Sequence, residues 1–419
     1  MEGWKEIVLG KLGNTFTGLS GKTKDDFGFG SKYIQYVNIF NNSKIDIGNL
    51  ELVNVKSNEK QSKVKFGDIF FTTSSETIEE VGMSSVLLDE IKEDIYLNSF
   101  CFGFRLFEFD NLLPEYAQHL LRAAHMRHSI SMFGKGSTRY NLSKTLLLKD
   151  LVLFFPSTLI EQHKIATILN TLDQSIAQTK KLIAKYKNIK QGLMYDLLTY
   201  GIDENGIIRN PETHTFVEKK EILVSEEWEK NLVSDFGVII TGSTPDTKNS
   251  SYWDGNYPFY SPADFSENIY CSKTEKNITN QGLMTGRIIP QNSVMVTCIG
   301  STIGKLALNS IRGITNQQIN SVIVNNNHNY KFVYYLLQNN TTQIRNLASQ
   351  TAIPIINKTS FSNLEFFAPK SLIEEDKIVS IIEQQDSLIE SEQTNLAKLQ
   401  NIKQGLMSDL LTGKIRVKI

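Results

Sequence analysis

The stretch Asn188-Ile189-Lys190-Gln191-Gly192-Leu193-Met194, followed by Asp196-Leu197-Leu198-Thr199, returns 213 residues later as Asn401-Ile402-Lys403-Gln404-Gly405-Leu406-Met407 and Asp409-Leu410-Leu411-Thr412. A repeat of this kind sets the architecture before any local signal does. At the same spacing Leu159-Ile160-Glu161 matches Leu372-Ile373-Glu374, Lys164-Ile165 matches Lys377-Ile378, Asp173 matches Asp386 and Pro156 matches Pro369. Upstream of that proline the identity collapses. Only scattered features are shared, such as Trp4 with Trp228, and Gly21-Lys22-Thr23 with Gly242-Ser243-Thr244-Pro245. The chain therefore divides into a variable block (1–155), a constant block (156–200), a second variable block (201–368) and a second constant block (369–419).

Each constant block reads as one long helix. A hydroxyl residue stands three before a glutamate at each start, Thr158…Glu161 and Ser371…Glu374, the pattern of a capping box. Gly201 and Gly413 follow the last periodic residues, where a left-handed cap is wanted. Between these ends Leu172, Ile176, Thr179, Ile183, Tyr186, Lys190, Leu193 and Leu197 form a seam, matched in the second copy by Gln385, Ile389, Glu392, Leu396, Leu399, Lys403, Leu406 and Leu410. Steps of three and four residues make this a coiled-coil seam with polar interruptions. A helix of this length reaches roughly 60 Å, longer than a compact domain is wide. The first copy carries six lysines against three acids and the second three lysines against eight acids. The lysines crowd the second half of one helix and the acids the first half of the other, so an antiparallel pairing is expected.

Composition bounds the rest. The chain has 419 residues, 40% hydrophobic, with a formal net charge of −1, enough for two domains and spacers. No apolar run approaches a membrane span, and Met1-Glu2-Gly3-Trp4-Lys5 does not begin a secretory signal. Cys101, Cys271 and Cys298 have no pair spacing, so a reducing cytoplasm is expected.

The variable blocks read as mixed α/β, which makes the whole an α+β chain with a pseudo-two-fold internal repeat. Val64 to Phe71 is turn then strand, leading into Thr72-Thr73-Ser74-Ser75, and Ile288 to Val296 leads into Thr297-Cys298-Ile299-Gly300-Ser301-Thr302-Ile303-Gly304-Lys305. Further polar clusters are Gly134-Lys135-Gly136-Ser137-Thr138-Arg139-Tyr140-Asn141 and Thr315-Asn316-Gln317-Gln318-Ile319-Asn320. Asn and Gln can read adenine in bidentate fashion, Arg and Lys can read guanine, and glycine-rich basic loops suit phosphate. Any one of these residues alone is more simply a surface polar group; the set, repeated on spacers, points to nucleic acid. The candidate DNA contacts are Lys22, Lys24, Ser74, Ser75, Lys135, Ser137, Arg139 and Tyr140 in the first block. In the second they are Ser243, Thr244, Ser301, Thr302, Lys305, Asn316, Gln317 and Gln318.

No catalytic constellation emerges. Gly21-Lys22-Thr23 ends like a P-loop, but Phe16 stands where its first glycine belongs. His125 and His128 lack a partner at metal-ligand spacing. Glu375-Asp376-Lys377 fits the end of a nuclease pattern, yet it lies in a helix first turn, where acids favour the dipole.

The alternation of two divergent blocks with two near-identical helices resembles the DNA-specificity subunit of Type I restriction–modification enzymes. The repeated Asn-Ile-Lys-Gln-Gly-Leu-Met blocks carry most of the likeness. Pro156 to Ile165, Thr315 to Asn320 and the Thr241-Gly242-Ser243-Thr244-Pro245 turn add to it. The resemblance implies a non-catalytic subunit that binds double-stranded DNA, one target recognition domain per half-site of a split target. It also implies docking of two methyltransferase subunits through the helices, together with ATP-dependent restriction subunits. S-adenosylmethionine, ATP and Mg would sit on those partners and no cofactor on this chain. Helix positions off the seam, including Gln191, Met194, Gln404 and Met407, would face the methyltransferases. The first block departs from the pattern: Leu97-Asn98-Ser99 stands in place of the Asn-Gln-Gln stretch. A recognition half of a fused enzyme would carry a methyltransferase domain, which this sequence does not display. A coiled-coil scaffold with two protein-binding heads is the alternative from another class.

Overall fold

The computed structural model describes residues 3–219, 222–266, 268–348 and 354–418, so Met1 and Glu2 of the N-terminal reading lie outside the described residues. Two helices dominate, Leu159–Thr199 with 41 residues and Leu372–Leu410 with 39. The chain forms two compact units, Met1–Lys181 with Gln393–Ile419, and Leu182–Glu392. Each unit thus holds one sheet-rich block, part of one long helix and part of the other.

In the first unit, strand Trp4–Val8 runs antiparallel to Val152–Pro156, with Trp4 opposite Pro156. The main sheet then takes the order Gly13–Thr17, Cys101–Leu106, Ile69–Thr72, Ser84–Val86, all antiparallel. A second sheet is Glu51–Val53, Phe27–Ile34, Ile95–Leu97, its last pair parallel. A third, small one joins Gly134–Lys135, Tyr140–Leu142 and Ser74–Ser75. Strand 69–72 is buried on both faces. Ile69 and Phe71 point into one cluster with Phe102, Phe104 and Leu120, while Phe70 points into another with Ile34, Ile39 and Leu97. Double burial is why this strand reads as an unbroken apolar run rather than an alternation.

The second unit repeats the plan. Trp228–Leu232 pairs with Glu365–Pro369, Trp228 opposite Pro369. The main sheet runs Gly237–Thr241, Ile319–Val324, Val294–Thr297, Leu306–Asn309, Tyr270–Cys271. The second sheet runs Lys276–Ile278, Trp253–Tyr260, Gly313–Thr315, Ile288–Ile289, again with one parallel pair, Trp253–Tyr260 beside Gly313–Thr315. Val294 and Val296 face one cluster and Met295 another, as in strand 69–72. Two blocks with little common sequence therefore share a core of four main-sheet strands and three second-sheet strands, to which the second unit adds Tyr270–Cys271 and Ile288–Ile289 and the first the small 74–75, 134–135, 140–142 sheet.

The helices run antiparallel within each unit. In the first, Lys403 pairs with Asp173 at 2.5 Å and Arg416 with Glu161, so advance along one helix is retreat along the other. In the second, Lys190 pairs with Asp386 at 2.6 Å. Both lysines and both aspartates are repeat-related, so the two lysines that interrupt the seam are each ion-paired to the other helix. None of the sixteen seam positions is exposed. Gly201 and Gly413 take φ of 70° and 74°, the left-handed caps expected of them.

The capping boxes form only in part. Glu161 N–H donates to Thr158 Oγ1 at 3.4 Å, but the Glu161 carboxylate does not reach back to the cap. It is buried and accepts from Arg416 Nε and Nη2 at 2.5 and 2.6 Å. Glu374, likewise buried, accepts from Arg209 Nη1 and Nη2 at 2.6 and 2.9 Å, from Trp228 Nε1 at 2.9 Å and from Ile202 N–H at 3.1 Å. A buried carboxylate must be paired, and the planar guanidinium fork satisfies both oxygens at once. A Cβ on Gly201 would collide with all three side chains of this knot, Glu374, Arg209 and Trp228.

The next residue in each helix anchors the helix that covers the sheet. Gln162 Oε1 accepts from Leu113 N–H at 2.9 Å, at the start of Pro114–Leu120. Glu375 Oε2 accepts from Asn329 N–H at 2.6 Å, at the start of Tyr330–Asn339, while Oε1 lies 2.7 Å from His328 Nδ1. Burial raises the Glu375 carboxyl above the usual range. In the first unit His119, 1% exposed, bonds Asn170 Oδ1 of the long helix at 2.9 Å, and burial pushes its pKa down to about 4.

Two outcomes follow. Glu374→Ala leaves Arg209 buried without its partner and is expected to cost about 3–5 kcal/mol in urea unfolding; an unchanged midpoint would contradict the clamp. His119 binds a proton in the unfolded chain near pH 6.5 but not in the fold until about pH 4. Its contribution to stability is therefore lost as pH falls through that window, by about 2–3 kcal/mol. Unfolding of His119→Gln is expected to depend less steeply on pH between 6.5 and 4 than unfolding of the parent.

Candidate nucleic-acid interface

In the second unit three loops meet at one edge of the main sheet. They follow Gly237–Thr241, precede Ile319–Val324, and join Val294–Thr297 to Leu306–Asn309; register sets Thr241 opposite Asn320 and Thr297 opposite Ile319. Backbone bonds fix the loops to each other: Gly242 N–H to Ile319 O at 3.0 Å, Ser243 N–H to Thr315 O at 2.8 Å, Cys298 N–H to Gln318 O at 2.7 Å. Thr244 Oγ1 donates to Gln317 Oε1 at 2.6 Å, and Asn316 Nδ2 donates to Gln318 Oε1 at 2.9 Å. Ser243, Thr244, Asn316, Gln317 and Gln318 are thus brought together, with Gln317 exposed and the other four half-buried.

Ser301, Thr302 and Lys305 sit on the third loop, which turns through Lys305 N–H to Thr302 O at 3.0 Å and through left-handed Gly300 and Gly304. Lys305 Nζ donates to Phe265 O at 3.3 Å. Sequence reading missed Arg287, which is exposed and joins the same cluster. Its N–H donates to Ser243 Oγ at 3.0 Å and its Nη1 to Thr241 O at 2.9 Å.

The first unit divides its candidates into two groups. Ser74, Ser75, Lys135 and Tyr140 share the small three-stranded sheet, and Ser137 and Arg139 sit exposed on the turn between its strands 134–135 and 140–142. Ser74 and Ser75 are buried, Ser75 Oγ lying 3.3 Å from Glu80 Oε2, so their hydroxyls are withdrawn from the surface. Lys22 and Lys24 lie between strands 13–17 and 27–34. The Lys22 side chain is 5% exposed, pairs with Glu59 at 2.5 Å and donates to Asn54 O at 2.5 Å, while Lys24 is exposed.

The counterpart of the 242–245 turn is not at Gly21. Leu19 N–H bonds Leu97 O at 2.7 Å as Ser243 N–H bonds Thr315 O, and a Cβ on Gly18 would collide with Asn98 O as one on Gly242 would with Asn316 O. Close backbone approach is what demands glycine at both positions. Asn98 then matches Asn316 bond for bond. Asn98 N–H bonds Ile34 O, as Asn316 N–H bonds Tyr260 O, each at 3.0 Å. Phe100 N–H bonds Asn98 Oδ1 at 2.8 Å, and Gln318 N–H bonds Asn316 Oδ1 at 3.1 Å. One backbone turn thus carries Asn-Gln-Gln in one unit and Asn-Ser-Phe in the other.

On the long helices Gln191 and Gln404 are exposed, whereas Met194 and Met407 are half-buried against the core of the second and first unit respectively. Among the described residues no helix is long and apolar enough to cross a membrane.

A family model described as a Type I restriction modification DNA specificity domain matches residues 1–188 and 225–401. The HindI specificity subunit of Haemophilus influenzae is 32% identical over 201 residues, 46% of this chain and 42% of that one. This chain thus covers less than half the length of that relative. A putative MjaX specificity subunit of Methanocaldococcus jannaschii is 26% identical over 96% of this chain and 91% of its own. Among solved structures, the S subunit of a Type I restriction–modification system from M. genitalium shares the fold at TM-score 0.57 and 14% identity, over 99% of this chain and 96% of that one. A chain from a study of complex assembly and conformational transition in the type I R-M system does so at 0.61 and 15%, over 98% of both. The chain belongs to the family of DNA-specificity subunits of Type I restriction–modification enzymes.

Proposed function

We propose that this chain reads a split, asymmetric DNA target, the block 1–155 taking one half-site and the block 201–368 the other. The helical blocks 156–200 and 369–419 hold the two readers at a fixed spacing and offer equivalent docking surfaces to two methyltransferase subunits. The observation that carries this reading is one rigid turn, hydrogen-bonded identically in both units, that presents Asn-Gln-Gln in one and Asn-Ser-Phe in the other. A scaffold repeated so closely, with its tip residues exchanged, suits two readers of different sequences.

In this reading Asn316, Gln317 and Gln318, with Ser243, Thr244 and Arg287, meet base edges and phosphates of one half-site. Lys135, Ser137, Arg139 and Tyr140 meet the other, and Lys24, Ser301, Thr302 and Lys305 lie at the periphery. Amide side chains carry a donor beside an acceptor, the pattern adenine matches in the major groove. Lys22, Ser74 and Ser75 support the loops from within. The chain performs no chemistry itself. Methyl transfer and ATP-driven restriction belong to partner subunits in the cytoplasm, and Gln191 and Gln404 face the methyltransferases.

Selection from a randomised duplex library by the assembled complex tests the assignment. Gln317→Ala is expected to relax the preference of one half-site by about 1–3 kcal/mol at its most affected position, and Arg139→Ala to weaken the other half-site alone. Equal loss at both half-sites in either variant would count against one reader per half-site.

A further inference from the structure

The geometry points to Phe100 as a specificity-determining residue of the first block, one that reads the C5-methyl group of a thymine where the second block offers an amide. This inference rests on the DNA-reading function proposed above. Phe100 occupies the position of Gln318: both residues follow the matched asparagine by two and donate their N–H to its side chain. The Phe100 carbonyl accepts from Thr73 N–H at 3.0 Å, as the Gln318 carbonyl accepts from Cys298 N–H at 2.7 Å. Thr73 Oγ1 adds a second bond to Phe100 O at 2.7 Å.

The backbone is therefore pinned on both sides while the residue stays 60% exposed. A lone exposed aromatic is ordinary on a protein surface. This one stands on the turn whose counterpart gathers Asn316, Gln317, Gln318 and Thr244, and its own neighbours on the turn are Asn98 and Ser99. A benzyl group has neither donor nor acceptor, so it cannot distinguish bases by hydrogen bonding. Among the four bases only thymine presents a methyl group in the major groove, and apolar side chains are its natural contact. Ser99, exposed beside the ring, supplies a hydroxyl for a neighbouring base edge.

The test uses the assembled complex and the target that wild type selects. Thymines of each half-site are replaced singly by deoxyuridine, which removes the methyl group alone. One replacement in the first half-site is expected to weaken wild-type binding about fourfold, the worth of one buried methyl group, and to leave Phe100→Ala binding unchanged. Phe100→Gln is expected to select a different base at that position, and replacements in the second half-site to affect all three proteins alike. Because the ring is exposed, these variants should unfold with the parent, which thermal unfolding checks. Wild type indifferent to every uracil replacement would overturn the inference. So would a Phe100→Ala loss that is equal for all sequences, which marks a ring wedged between base steps instead. Failure of wild type to select any split target removes the underlying DNA-reading function, and is seen before a variant is compared.

Discussion

A carboxylate buried in the first turn of each long helix constrains everything around it. Glu161 and Glu374 lie out of water, and a charge there is tolerated only when its oxygens are satisfied. Each finds an arginine that follows the end of the other helix, Arg416 three residues beyond Gly413 and Arg209 eight beyond Gly201. Both arginines reach their glutamates only because the chain turns back at a left-handed glycine. In each unit the beginning of one helix is thereby tied to the end of the other, and the antiparallel sense of the pair follows.

The repeat-related positions downstream extend the same logic. Gln162 and Glu375 cap the helix that lies on each sheet, and the Lys403–Asp173 and Lys190–Asp386 pairs cross each seam. Because these contacts recur at the repeat spacing, the constant blocks fix the placement of each sheet relative to the helices of its own unit. The sheets, buried on both faces, then hold the loops at their edge. The loop tips are released from packing, and on the matched turn they carry different side chains in the two units.

Much of this was legible in the sequence. The two helices, their glycine caps and the non-exposed seam could be read from spacing, because each depends on residues close along the chain, and the repeat from identity at one constant offset. The partners of Glu161 and Glu374 could not, since Arg416 and Arg209 are 255 and 165 residues away and the local pattern already suggested a capping box. The polar clusters around Gln317 and Arg139 marked loops, and the structure shows which of their residues come together. Gly18 escaped because a turn defined by backbone hydrogen bonds leaves one glycine as its trace, and the Leu97-Asn98-Ser99 reading stood one residue out of register, since the bonds align Asn98 with Asn316 and Phe100 with Gln318. Phe100 left no such trace, because its side chain carries neither donor nor acceptor. Lys22 shows the opposite error: a loop lysine attracts a phosphate reading until Glu59 is seen beside it.

We propose that two readers on one scaffold specify one split target. Genome-wide adenine-methylation mapping tests it most directly, comparing cells that express this chain with its methyltransferase subunit against cells that express the methyltransferase subunit alone. A new motif of two defined half-sites around an unread centre, present only with this chain, is the result the account requires. A stable complex of the two proteins that yields no new methylated motif would contradict it.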